Sequence, residues 1–329
     1  MHKSVLVLGA GSVGKRHLKN FDDLGCVVSA FDPREDRLHE AAGIVNLQDS
    51  YSFLTDVDWS KVDGAVIASP PSFHIEQCAL LLEQGKHILL EKPVSPTLAE
   101  AESFLAKLEQ SQVKLLLGYT YRWFTPVIEF RRRLEQEAVG TIYSCNFTMS
   151  AHLEDWHPWE KYTDFFMAHR ELGGGALLDE SHFLDLMLWF FGMPKSVFGK
   201  VAKISDLNIS TDDNVDLVFE YEDGKMVTVH LDLYGRPHQK RITVVGSDGT
   251  LTWDAQTNVI QQSNAMDGDW DAHQIEAERN EMFVNLAEEF LQVMAGDCEP
   301  GCTLKDGLTV LHLIERIRES SQSGIRLDL

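Results

Sequence analysis

Between Lys3 and about Tyr119 the apolar positions fall in short, nearly unbroken runs separated by helical stretches: SVLVLG, a helix from Val13, VVSAFD, DGAVIAS, a helix from Ser72, KHILLE and KLLLGY. Runs so continuous in Val, Leu and Ile predict strands buried on both faces. Their alternation with helices predicts a parallel, helix-covered sheet. After Tyr119 the pattern changes. A helix is predicted over 125–137 and a strand over 141–150, followed by a long stretch rich in aromatics and His that reaches Gly175. A strongly apolar helix is predicted over 176–191. Beyond it, KMVTVHLDLY sets Val227, Val229, Leu231 and Leu233 against Thr228, His230 and Asp232, the period of two of a sheet with one packed face. Several strands in succession predict a second, mostly antiparallel open sheet. Two helices, over 282–295 and 304–320, close the chain. The expected class is α/β: a parallel-sheet domain over 1–120 and an α+β domain over 121–329, with the late helices packing back on the first domain.

A length of 329 residues suits two packed domains. Charge narrows the partners: 29 Lys and Arg against 51 Asp and Glu give a formal net charge of -22. That balance repels nucleic-acid backbones and anionic lipid, so neither is an expected partner. No stretch approaches the roughly 20 apolar residues of a membrane span. The apolar run near the N-terminus breaks into glycines without a small-residue cleavage site, so it reads as a buried strand and not as a signal peptide. Five scattered cysteines suit a reducing compartment, and the expected location is the cytoplasm. Cys298-x-x-x-Cys302 lacks nearby paired ligands, and the histidines form no His-x-x-x-His pair, so no metal is expected.

Net charge does not exclude a nucleotide, because a glycine-rich loop binds phosphate through backbone N–H groups. Gly9-Ala10-Gly11-Ser12-Val13-Gly14 follows a predicted strand and opens a predicted helix, the setting in which G-x-G-x-x-G marks a dinucleotide-binding Rossmann domain. Gly9 permits the turn, Gly11 lets the pyrophosphate approach, and Gly14 lets the helix sit close on the sheet. Asp32 ends the second strand about 20 residues beyond the loop, where a carboxylate accepts from ribose hydroxyls, which favours NAD. Arg34, two residues later, keeps NADP open as a partner for a 2′-phosphate. Glu91-Lys92-Pro93 follows HILLE, where residues leave the carboxyl edge of a parallel sheet and ligands bind. Asp179 and His182, three apart on the predicted apolar helix, would share one face.

GAGSVG at 9–14, ASPPSFH at 68–74, EKP at 91–93 and GGGALLDESHFLD at 173–185 occur in the order of a known family. The chain resembles the Gfo/Idh/MocA family, named for glucose-fructose oxidoreductase, inositol dehydrogenase and a rhizopine catabolism protein. The resemblance covers nearly the whole chain. It implies a Rossmann domain followed by a larger domain whose open sheet covers the site on one face and commonly supports oligomers, dimers or tetramers, on the other. By resemblance Lys92 is the catalytic lysine and its bond to Pro93 is cis. An ammonium there would stabilise the alkoxide that hydride abstraction develops. The family implies that His182 is the general base, a role that suits an imidazole near working pH. Asp179 would orient it or bind a neighbouring hydroxyl. Relatives commonly space that pair as Asp-x-x-x-His, whereas here it is Asp-x-x-His, a departure from the family pattern. Ser69, Pro70, His74, Glu91 and Lys92 fall where relatives hold the cofactor.

Asp155-Trp156-His157-Pro158-Trp159-Glu160-Lys161-Tyr162 is rich in groups that stack on sugar rings or bond hydroxyls. Trp156, His157 and Tyr162, with Arg122 after GYTY, are the expected substrate contacts. The DWHP and RELGGG runs are similar to a branch of the family found in bacterial surface-glycan biosynthesis. The expectation is therefore an NAD(P)-dependent oxidoreductase acting on a carbinol carbon of a sugar, cyclitol or sugar nucleotide. Redox-assisted lyase or glycosidase chemistry, and a nucleotide-sensing regulator, remain alternatives.

Overall fold

β1 (Ser4–Leu8) is buried from Val5 to Leu8 at 0% exposure, as a central parallel strand covered on both faces must be. It leads into α1 (Ser12–Asp23), β2 (Val27–Phe31), α2 (Glu35–Ala42), the short β3 (Ser50–Tyr51) and β4 (Gly64–Ile67). α3 (His74–Glu83), β5 (His87–Glu91), α4 (Leu98–Leu108) and β6 (Leu115–Gly118) follow. All six strands are parallel, in the order β3-β2-β1-β4-β5-β6. The winding reverses between β1 and β4, the kind of switch point at which open α/β sheets bind ligands beyond the strands' carboxyl ends.

The second part of the chain contains α5 (Thr125–Glu135), β7 (Ile142–Ser150), α6 (Ala176–Asp179) and α7 (His182–Phe191). A run of strands comes next: β8 (Ser196–Ala202), β9 (Asn214–Glu220), β10 (Met226–Asp232), β11 (Gln239–Gly246), β12 (Gly249–Asp254), β13 (Val259–Ser263) and β14 (Asp271–Gln274). The chain ends on α8 (Glu281–Ala295), α9 (Leu304–Ser323) and β15 (Leu327–Asp328), a strand the sequence pattern does not predict. The second sheet has nine strands, ordered β14-β13-β12-β11-β7-β10-β9-β8-β15. Every pairing is antiparallel except β7 with β10. The period-two pattern places Val227, Val229 and Leu231 on the packed face. There Phe147 meets the rings of Phe183, Phe190 and Phe191, while Trp253 meets Tyr121 and Phe124.

This computed structural model describes residues 3–156, 160–264 and 268–329. It divides into two units, Met1–Thr120 with Asn280–Thr309 and Tyr121–Arg279 with Val310–Leu329. α8 lies in the first unit and packs on α1 and β6. The single helix expected over 176–191 is two helices. Ser181 N–H bonds back to Leu178 O at 3.4 Å and Phe183 N–H to Glu180 O at 3.1 Å, so three-residue links replace the four-residue ladder at Glu180–Ser181. Among the described residues no helix is long and apolar enough to cross a membrane.

Candidate active site

The carboxyl edge of the first sheet gathers the glycine loop, Asp32, Ser69-Pro70 and Glu91-Lys92 at the ends of β1, β2, β4 and β5. Gly9 turns at φ +96°, and its N–H donates to Phe31 O at 2.7 Å. A Cβ on Gly14 would stand 1.7 Å from Gly9 O, so only glycine allows α1 this close to the strand. Over Gly11 the space is open, with Arg37 Nη1 the nearest atom at 3.8 Å. Ser12 and Val13 begin α1, whose first turn holds no acidic residue and no side-chain cap. An uncapped helix N-terminus beneath a cleared approach fits the pyrophosphate of a dinucleotide.

Asp32 is buried at 2% exposure, with Oδ2 accepting from Ala10 N–H at 2.8 Å and Oδ1 from Arg34 N–H at 2.9 Å. The Arg34 side chain turns away to Asp36, which it holds below the usual carboxylate range through that hydrogen bond. The guanidinium beside the loop belongs to Arg37, with Nη1 3.7 Å from Asp32 Oδ2. Sequence reading missed this residue; its signal is a position in the first turn of α2, facing back towards Gly11.

Ser69 Oγ donates to Gln77 Oε1 at 2.7 Å, and Pro70 sits in the extended backbone before a short 3-10 turn. His74 is buried, with Nδ1 2.8 Å from Pro93 O and Nε2 2.9 Å from Ser69 O. Its ring thus ties two cofactor-side loops together and is not an open contact. Burial pushes its pKa down, against the two carbonyls that push it up. Glu91 Oε1 accepts from His17 Nε2 at 2.8 Å, and the Lys92–Pro93 bond is cis.

In the second unit Asp179 ends α6 and is buried, and His182 begins α7. The break between them replaces the shared helical face expected for the pair. Tyr121 presents its ring edge-on to His182, centroids 5.2 Å apart at 88°. Lys240, on the packed face of β11, brings Nζ to 3.9 Å from Glu180 Oε2 at the break. Burial works against the Lys240 ammonium, yet Glu180 and Tyr121 hold its pKa above the ordinary lysine value. Arg122 is not an open substrate contact: Nε and Nη2 donate to Asp185 at 3.0 and 2.6 Å, with the two side chains 8% and 1% exposed. The pair anchors α7 and commits the Nε and Nη2 donors to Asp185. Trp156 Nε1 is buried and has no hydrogen-bond partner among the described residues. Tyr162 Oη accepts from Asn208 N–H at 3.2 Å. His157 lies outside the described residues.

A parallel sheet with a glycine cradle at its switch point and a lysine on the same edge defines an NAD-binding oxidoreductase of the Rossmann class. The chain belongs to the Gfo/Idh/MocA family: the NAD-binding Rossmann-fold domain of that oxidoreductase family matches residues 3–119, and its C-terminal domain matches 127–252. Among relatives, a D-xylose 1-dehydrogenase (NADP(+)) of Haloferax volcanii is 22% identical over 334 residues, spanning 98% of each chain. A myo-inositol 2-dehydrogenase of Thermotoga maritima is 24% identical over 267 residues, 77% of this chain and 76% of the relative. Levoglucosan dehydrogenase in complex with NADH superposes with a TM-score of 0.88 at 18% identity, covering 100% of this chain and 99% of the other. The WlbA dehydrogenase of Bordetella pertussis, solved with NADH and UDP-GlcNAcA, gives 0.81 at 21% with the same coverage. The protein is therefore a nicotinamide-dependent oxidoreductase whose relatives are sugar and cyclitol dehydrogenases.

Proposed function

We propose that the protein interconverts a secondary hydroxyl of a sugar, cyclitol or sugar nucleotide with the corresponding ketone. The observation that carries the reading is that the glycine cradle and Lys92 share one carboxyl edge of the first sheet. Bound NAD supplies the hydride-accepting carbon. Gly11 and the N-terminus of α1 would hold its phosphates, and Asp32 its adenosine ribose. Lys92 donates to the reacting hydroxyl oxygen and stabilises the charge that grows there as hydride leaves. His182 takes the hydroxyl proton, its ring plane steadied by Tyr121. Asp179 binds a neighbouring hydroxyl or orients His182. Trp156 and Tyr162 form the sugar platform, a reading supported by the buried Trp156 N–H, which has no acceptor among the described residues. None of the five cysteines is in a disulfide among the described residues, in keeping with a cytoplasmic enzyme. A second copy of the chain is the expected macromolecular partner.

Fluorescence titration with NADH and NADPH, followed by a screen of inositols, hexoses, uronates, amino sugars and their nucleotide derivatives, tests the assignment. Lys92→Ala and His182→Ala are each expected to lower kcat by about 10²- to 10⁴-fold. NADH binding should stay within ~3-fold of wild type, since the glycine cradle and Asp32 are expected to carry most of the cofactor affinity. Wild-type turnover in both variants overturns the mechanism, and tight NADH binding with no turnover on any sugar favours the regulator.

A further inference from the structure

The residues on both sides of Lys92 are held by buried imidazoles from two different helices. Glu91, immediately before it, pairs in register with Gly118 of β6. A Cβ on Gly118 would stand 3.4 Å from Glu91 Cδ and 3.2 Å from Leu90 O, so the glycine leaves the slot in which the carboxyl lies. From that slot Glu91 Oε1 accepts from His17 Nε2 at 2.8 Å, the two side chains being 0% and 12% exposed. His17 comes from α1, and its ring is fixed between Phe21 at 6.5 Å and Phe283 at 5.8 Å. On the far side of Lys92, Pro93 O lies 2.8 Å from Nδ1 of His74 on α3.

Stability alone does not account for His17. Among the described residues its Nδ1 is buried with no hydrogen-bond partner, a cost that an aliphatic or phenyl side chain in the same apolar slot would avoid. What the imidazole adds is one N–H aimed at the carboxylate next in sequence to Lys92. Released from that N–H, the Glu91 carboxylate would be free to pair with the adjacent ammonium and draw it off the substrate oxygen.

We propose that His17, with His74 behind it, is a positioning residue for the reaction: it holds the Glu91 carboxylate in the slot over Gly118 and away from the Lys92 ammonium. The inference rests on the reading of Lys92 as the group at the reacting oxygen. His17→Leu should lower kcat by about 10-fold or more, while the KM for the sugar and the Kd for NADH change by less than ~3-fold. His17→Gln, whose amide N–H can reach the same carboxylate, should recover most of the loss. In the reductively 13C-methylated protein, the Lys92 resonance should titrate at higher pH in His17→Leu than in wild type, because a freed carboxylate stabilises the ammonium. Should His17→Leu fail to fold, Gly118→Ala, which crowds the Glu91 carboxyl from the other side, is expected to give the same loss of kcat and the same upward move. Unchanged kcat and an unmoved Lys92 titration in a folded variant overturn the proposal. So does a loss of NADH affinity that parallels the loss of kcat without recovery in His17→Gln. Lys92→Met separates the two ideas: if it abolishes turnover while His17→Leu and Gly118→Ala do not lower it, the positioning idea alone fails. If Lys92→Met turns over normally, the reading of the site fails first.

Discussion

Asp32 and Arg37 stand beside the glycine loop, a carboxylate pinned by two backbone amides with a guanidinium 3.7 Å away, and on the proposed reading they would meet the adenosine ribose. Their charges pull cofactor choice in opposite directions. A 2′-hydroxyl donates to the carboxylate, whereas a 2′-phosphate is repelled by it and attracted by the guanidinium. Asp32→Ala should therefore weaken NADH more than NADPH, and Arg37→Ala should weaken NADPH more than NADH. Each should shift the ratio by about 10-fold, or about 1.4 kcal/mol. Parallel losses in a fluorescence titration of either variant would remove that residue from ribose recognition. The acidic half of this pair was legible in the sequence, because the end of the second strand is fixed by spacing from the glycine loop. The basic half was not. Arg34 is nearer in sequence, but its side chain bonds Asp36, and only the turn geometry at the start of α2 brings Arg37 back to Gly11.

α7 carries His182 at its first residue and is tied down by Asp185 one turn later. Arg122 meets that carboxylate with two donors, both partners being almost fully removed from water. Removing one half of such a pair leaves a buried charge behind, which costs about 3–5 kcal/mol. Asp185→Ala should lower the urea midpoint accordingly with little change in slope, and His182-dependent turnover should fall with the loss of the anchor. A shift within error of wild type would show that Arg122 finds another partner or reaches water. The apolar pattern over 176–191 reads as one helix because the break at Glu180–Ser181 lies in the backbone hydrogen bonding, which hydrophobic period does not record. For the same reason the string of 3-10 turns between Leu153 and Leu172 left no trace in the sequence beyond its aromatic content. The strands of both sheets were legible, since a continuous apolar run and a strict alternation are each direct consequences of which faces are buried.

At the scale of the whole molecule the open face of the nine-stranded sheet carries a charge pattern that would suit the second copy of the chain proposed above. One row across six adjacent strands is set by register: Lys200 beside Asp216, Asp216 beside His230, His230 beside Thr148, Thr148 beside Arg241, and Arg241 beside Asp254. The hydrogen bond from His230 to Asp232, reinforced by Asp216, lifts its pKa to about 9, so the imidazole is charged at neutral pH. The row then reads plus, minus, plus, neutral, plus, minus. Turned end for end by a two-fold axis, it sets Lys200 against the partner's Asp254 and Asp216 against the partner's Arg241, with His230 opposite the uncharged Thr148. The adjacent row carries the exposed Phe198 beside Val218, an apolar strip for the same contact. The chain's formal charge of -22 opposes any association that lacks such matching. Light scattering should give a mass of two or four chains. Arg241→Asp, which sets like charges on opposed positions, should lower the mass towards a single chain, and adding Asp216→Arg should restore it by exchanging the pair. A single-chain mass in the wild type, or a double variant no better associated than the single, would overturn self-association through this face.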